Sequence, residues 1–232
     1  MITGMITSGQ DKQLKRVISD GLDKIIKNLT KAQAEQLLKV GNLLQDDLAR
    51  SFRKRSIVDK RFGADLLKGK GTFTVPADYN HDTQIDDFGV KTKDLKSTYY
   101  YNPNLTSKNF AGATNKLVPG KTYAIKMFWL LGDRISSKDC LAFLKENNAI
   151  LVGAQGLTAL HTDQPEIFPI GKYTVSFDEK EALLKDADGY HRVPDVGRES
   201  DGDRKFRLGY FANSWYDNSV LLCFCDLESL EA

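Results

Sequence analysis

The chain has 232 residues, of which 41% are hydrophobic and 28% are charged. This composition is typical of a globular protein and excludes the collagen-like, coiled-coil, disordered and disulfide-scaffold classes. A chain of this length buries enough surface to fold without stabilising disulfides or metal ions, as one large domain or as one domain with an appendage. The net charge of +2 argues against nucleic acid as the partner.

The apolar runs and the cysteines indicate a compartment. The longest apolar runs, 127–131 and 220–225, have the length of strands and are too short to span a membrane. The N-terminus lacks the basic-then-apolar order of a signal peptide. We expect all three cysteines to be reduced and buried, because Cys223 and Cys225 are poorly placed for a mutual disulfide. These features predict a cytoplasmic protein with no membrane partner, with virion association or unconventional export as alternatives.

Two amphipathic helices are expected at the N-terminus, because apolar residues recur every three or four positions over 11–29 and 31–54. We predict that they form a helical hairpin within a first domain, residues 1–61. This domain carries 13 basic and 7 acidic side chains, whereas residues 62–232 carry 20 and 24. The net charge of +2 therefore combines a basic piece of +6 with an acidic body of −4.

A basic cluster, Arg50, Arg53, Lys54 and Arg55, ends the second predicted helix. Cations at a helix C-terminus offset the helix dipole, which is a sufficient structural explanation. Contact with nucleic acid or another anion, and docking against the acidic body, remain alternatives. A scaffold or interaction protein that uses this basic hairpin to dock elsewhere is a further functional alternative.

The middle of the body, 62–120, is rich in Gly, Asn, Asp, Thr and Pro. It predicts loops with short strands over 72–75 and 97–101, and no strong helix. Asn80-His81-Asp82 and Asp86-Asp87 offer metal ligands, but their spacing does not match a calcium loop. We interpret this segment as a solvated loop rather than a metal site, and we predict no metal and no cofactor.

The C-terminal part, 121–232, has the clearest periodicity, and it predicts an α+β body. Ser136 and Ser137 precede one expected helix, and Asp178 would cap another. The predicted strands cover 121–131, 172–177, 206–211 and 220–225, and the predicted helices cover 138–146, 157–161 and 179–185.

This order of elements resembles the C-type lectin fold. KTYAIKMFWLL (121–131) is similar to its opening strand, SSKDCLAFLKENNAILVGAQGLTAL (136–160) to its two helices, and NSVLLCFCD (218–226) to its closing strand. The resemblance implies that the predicted N-terminal helical hairpin is followed by a lectin-like mixed α/β body, with the lectin-like core over 121–232. The calcium- and sugar-binding triplet and the disulfides of lectins have no matching set of residues here.

Within that fold, the chain is most similar to the variable ligand-binding proteins of diversity-generating retroelements, which lack lectin disulfides and calcium. The resemblance implies a non-catalytic protein that binds a partner protein through a diversified C-terminal surface. Tyr and Trp supply rigid contact area there, and Ser and Asn supply adaptable hydrogen bonds. The residues that would form this surface are Tyr210, Asn213, Ser214, Trp215, Tyr216, Asp217, Asn218 and Ser219.

Two other interpretations stay open. The 210–219 segment has the composition of an ordinary hairpin turn. A metal-dependent nuclease could use Asp195 and Asp203 to hold a metal ion and Lys205 to stabilise the attacking water or the phosphate. We favour partner binding over catalysis, since the sequence contains no phosphate-binding, dinucleotide-binding or nucleophile-elbow motif. The sequence does not specify an oligomeric state.

Overall fold

The computed structural model describes residues 59–132 and 134–227. The predicted helical hairpin and its basic cluster lie outside the described residues. The strands are β1 (Phe62–Asp65), β2 (Gly71–Thr74), β3 (Thr98–Tyr101), β4 (Thr122–Leu130), β5 (Ile135–Ser136), β6 (Lys172–Val175), β7 (Leu184–Lys185), β8 (His191–Arg198), β9 (Arg204–Tyr210), β10 (Ser214–Trp215) and β11 (Ser219–Asp226). The α-helices are α1 (Gln84–Thr92), α2 (Ser137–Glu146) and α3 (Gly153–Asp163).

A mixed nine-stranded sheet forms the centre of the body, so the predicted α+β class is confirmed for the described part. Seven strands follow the order β1-β4-β11-β6-β8-β9-β3, while β2 adds to β4 and β7 adds to β8. The β11–β6 and β3–β9 pairs are parallel, and the other pairs are antiparallel. Strands β5 and β10 form a separate two-stranded ribbon.

The sheet is buried on both faces because the side chains of β4 and β11 alternate between two apolar cores. Ile125 and Met127 face one core together with residues of α1 and α3. Phe128 and Leu221 face the other core together with residues of α2. All three cysteines are buried and free, as predicted, and Cys223 and Cys225 contribute to the second core. Within the described ranges, no helix is long and apolar enough to cross a lipid bilayer.

Most predicted elements of the C-terminal part are confirmed, with small shifts at their ends. The predicted strands at 121–131, 172–177, 206–211 and 220–225 correspond to β4, β6, β9 and β11. Helix α2 starts one residue earlier than predicted, because the Ser136 hydroxyl caps it by accepting from the Asp139 amide. Helix α3 is longer than the predicted 157–161 and begins at Gly153, whose φ is +48°.

Three secondary-structure predictions were wrong. Helix α1 lies in the segment predicted as loops. The predicted helix 179–185 is a single 3₁₀ turn followed by β7. Strand β8 was not among the predicted strands, and it contains Pro194. The proline fits because it lies where β6 has ended, and its carbonyl accepts from the Ser176 amide.

Candidate functional site

The segment between β9 and β11 is fixed to the body by Trp215. This side chain is 7% exposed, and its indole Nε1 donates to the Ser137 hydroxyl at 2.8 Å. The ring packs edge-to-face on Phe177, with 5.6 Å between centroids. The pairing of β10 with β5 adds backbone contacts. Trp215 therefore anchors the loop in the core.

The other predicted binding residues divide by exposure. Ser219 is buried and Ser214 is half-buried. Tyr216 is 44% exposed and Tyr210 is 37% exposed. Asn213, Asp217 and Asn218 are exposed as well. The loop thus presents two tyrosines and several short polar side chains to solvent above a buried tryptophan.

A cleft of about 320 Å³ lies against this loop. Of the eight predicted binding residues, all but Asp217 line it. Five further residues from the sheet complete the lining, and sequence reasoning did not assign them to this surface: Tyr173, Asp195, Arg207, Leu208 and Gly209. The structure therefore brings the predicted loop together with a floor made by β6, β8 and β9.

Two glycines let aromatic rings of the cleft pack directly on the strand backbone. A Cβ at Gly197 would collide with the Tyr173 ring. A Cβ at Gly209 would lie 2.9 Å from Cη2 of Trp215 and 3.5 Å from Oδ2 of Asp195. The rings of Tyr173 and Trp215 therefore lie directly on the backbone of β8 and β9.

A buried ion pair forms the floor. Asp195 is 1% exposed, and its Oδ1 accepts from Arg207 Nε at 2.9 Å. Its Oδ2 is buried and has no hydrogen-bond partner in the described part of the chain. Burial raises the pKa of Asp195 to about 6, although Arg207 opposes the rise. The carboxylate is thus held in the protein interior at a cost.

Arg207 faces outward from this pair. Its side chain is 38% exposed, and the guanidinium carbon lies 3.7 Å from the centroid of the Tyr173 ring. Stacking on Tyr173 and the bond to Asp195 fix the orientation of the guanidinium.

The Tyr210 side chain, which lines the cleft, is also held in place. The Arg192 guanidinium lies 3.5 Å from the Tyr210 ring centroid, and Tyr190 packs perpendicular to that ring at 5.5 Å. Arg192 is itself fixed by an ion pair with Asp186 at 2.6 Å. The cleft is therefore built largely of side chains with set positions.

A second cleft, of about 340 Å³, shares Asn213 and Ser214 with the first. Its lining includes Lys138, Lys180 and His191. We take the first cleft as the candidate site, because it contains nearly all the predicted residues together with a buried ion pair.

The residues of the nuclease hypothesis lie apart. Asp195 faces Arg207 across the β8–β9 pair, and Asp203 lies four residues before Arg207 in the preceding turn. At about 3.3 Å per residue, this separates the two aspartates by roughly 13 Å along the strand. Lys205 forms an ion pair with Glu199 at 2.8 Å. The structure does not bring the two carboxylates to a shared site.

The possible metal ligands of the 80–87 segment are engaged in local contacts. His81 Nδ1 lies 3.1 Å from the Tyr79 hydroxyl, and Asp86 accepts from the Ser107 amide. Asp82 forms an ion pair with Lys116. Among residues 59–132 and 134–227, no group of three or more His, Cys, Asp or Glu side chains could hold a metal ion.

No protein family matches this chain, and neither a curated protein sequence nor a solved structure is similar enough to count as a match.

Proposed function

We propose that this protein binds a partner protein, without catalysis, through the cleft and the loop beside it. One observation carries the proposal: the predicted loop residues line a cleft whose floor holds a buried carboxylate and a half-exposed guanidinium. Polar groups that converge in a concave site are typical of recognition surfaces.

The composition of the rim supports recognition of a protein. Tyr210 and Tyr216 supply large contact areas that lose little entropy on binding, and Asn213 and Asn218 supply adaptable hydrogen bonds. Because Trp215 anchors the loop in the folded protein, the loop should lose little further conformational entropy when a partner binds.

The relationship to the variable proteins of diversity-generating retroelements is part of the proposal. The order β4, α2, α3, β6 and a closing β11 supports it. The encoding locus provides an independent test: a neighbouring reverse transcriptase and a near-repeat of the codons for 205–225 would support the relationship. The cytoplasm is the compartment that we propose, since all three thiols are buried and free.

The binding function is tested with random peptides displayed on phage and selected on the immobilised full-length chain. Synthetic copies of the enriched peptides are then titrated against wild type, Tyr216→Ala and Tyr100→Ala. Tyr100 is a matched control, because it is 43% exposed and lies on β3, outside the cleft.

We expect Tyr216→Ala to weaken binding about tenfold or more, as truncation of an aromatic contact residue at an interface does. Tyr100→Ala should leave the affinity within about twofold of wild type. Failure to enrich any peptide, or equal losses in the two variants, would show that this surface is not the binding site.

A further inference from the structure

The two terminal nitrogens of the Arg207 guanidinium are the polar atoms of the cleft to which the proposed function assigns no ligand group. Only Nε is engaged, by Asp195. Neither terminal nitrogen makes a hydrogen bond with any residue of 59–132 or 134–227. The guanidinium therefore offers two parallel N–H donors into a cleft that is walled by aromatic rings.

We propose that the cleft takes the side-chain carboxylate of an aspartate or glutamate from the partner protein, bound end-on by the two terminal nitrogens of Arg207. This assignment rests on the proposed function, of which it names the ligand chemistry. A planar guanidinium and a planar carboxylate form two parallel charge-assisted hydrogen bonds.

A cationic side chain is disfavoured by the cations already in place. Arg207 covers one face of Tyr173, and Arg192 covers one face of Tyr210. A further cation in the cleft would lie beside the Arg207 guanidinium, and like charges repel. The buried carboxylate of Asp195 is already shared with Arg207. A carboxylate instead adds the missing partner for the free end of Arg207.

A chain terminus and a phosphate group fit the floor less well. Capture of a C-terminal carboxylate uses free backbone N–H groups, whereas the floor strand β8 is paired with β6 on one side and with β9 on the other. Phosphate sites in signalling domains use clusters of arginines. Arg207 is the one arginine that lines this cleft in the described structure.

Asp195 acts as a positioning residue for Arg207. It holds Nε from the sheet side and leaves the opposite end of the guanidinium facing the cleft. Its negative charge also lies close to where the ligand carboxylate would bind, and like charges repel. Asp195→Asn retains an oxygen for Nε but removes this charge, so a carboxylate ligand should bind this variant equally well or more tightly. A cationic ligand would bind it less well.

The test uses the phage-selected peptides, synthesised with amidated C-termini so that their carboxylates come only from Asp and Glu. Each acidic position is replaced in turn by Asn or Gln, and a free-acid version of each peptide is compared. Affinities are measured by calorimetry for wild type, Arg207→Lys, Asp195→Asn and Lys205→Met. Lys205 is the matched control, because it is a cation on the same strand that already pairs with Glu199 and lies outside the cleft.

We expect one acidic position to dominate, with a loss of about tenfold or more on amide replacement and a similar loss in Arg207→Lys. The losses should not add when both changes are combined, because they remove one interaction. Lys205→Met should change the affinity less than threefold.

Other outcomes overturn the assignment. Peptides that lose affinity in Tyr216→Ala but tolerate every amide replacement would leave the proposed function standing and remove the carboxylate. If binding requires a Lys or Arg of the peptide and is weakened in Asp195→Asn, the cleft is a cation site. If binding requires the free-acid C-terminus of the peptide, the cleft captures a chain terminus. No enriched peptide would remove the proposed function and this assignment together.

Discussion

The buried carboxylate of Asp195 should make the protein less stable at neutral pH than it would be with a neutral side chain there. Burial raises its pKa from the ordinary 3.8 to about 6. One pKa unit corresponds to about 1.4 kcal/mol, so ionisation of the folded protein above pH 6 costs about 3 kcal/mol of unfolding free energy. The sign follows from the direction: the cost is complete above pH 6 and is relieved as the pH falls toward 3.8.

Asp195→Asn removes this cost. Removal of one partner of a buried ion pair usually destabilises the folded protein, because the remaining charge stays buried. Here the partner left behind is Arg207, which is 38% exposed and can be solvated. We therefore expect the variant to be about 3 kcal/mol more stable than wild type at pH 8, and within about 1 kcal/mol of it at pH 4.

Urea unfolding of the full-length chain at pH 4, 6 and 8 measures the difference. Asp217→Asn is the control, because Asp217 is exposed on the neighbouring loop, and it should change the unfolding free energy by less than about 0.5 kcal/mol at each pH. A variant that is less stable than wild type at pH 8, or a difference that does not depend on pH, would refute the reasoning. The ion pair would then be a net source of stability.

Two further changes test the surroundings of the cleft, and a third tests the buried His161 of α3. Trp215→Phe removes the hydrogen bond to Ser137 and part of the packed ring, and should cost about 2 kcal/mol in urea unfolding; an unchanged midpoint would contradict the anchoring role. Gly209→Ala should shift the Trp215 ring and cost about 1–3 kcal/mol, visible as an altered near-UV circular dichroism spectrum; an identical spectrum would count against the close approach. Burial lowers the pKa of His161 to about 3, with Arg204 and Arg198 contributing, so between pH 7 and 4 wild type should lose about 3 kcal/mol more unfolding free energy than His161→Phe, while the opposite effect of Asp195 is common to both proteins. Equal losses in the two proteins would show that His161 protonates freely when folded.

Strands with an apolar run or a regular alternation could be predicted from the sequence, whereas strand β8, which combines a proline with a buried charge, could not. Strand β11 is buried along nearly its whole length, and its apolar run predicts it directly. Strand β8 contains Pro194 and Asp195, which favour a loop when only local preferences are considered. The structure tolerates both residues, because a neighbouring strand ends at Pro194 and Arg207 pairs with Asp195.

Helix α1 was missed although its apolar spacing is present. Ile85, Phe88, Gly89 and Thr92 are its buried residues, at the spacing of one helical face. The surrounding Asp, Asn and Thr residues outweighed this short pattern, since they favour turns. The helix is held by packing: Phe88 contacts Phe206 of the sheet at 5.1 Å between ring centroids. Tertiary contacts of this kind cannot be predicted from the local preferences of residues for helix or turn.

The candidate site illustrates the same limit. The loop over 210–219 could be predicted because its aromatic and polar residues are adjacent in sequence. The floor could not, because Tyr173, Gly197 and Gly209 come together only through the register of β6, β8 and β9. A larger side chain at either glycine would displace Tyr173 or Trp215 from the backbone. With either ring displaced, the same loop would lie above a different floor. The register of these strands therefore determines which ligand group the loop can enclose.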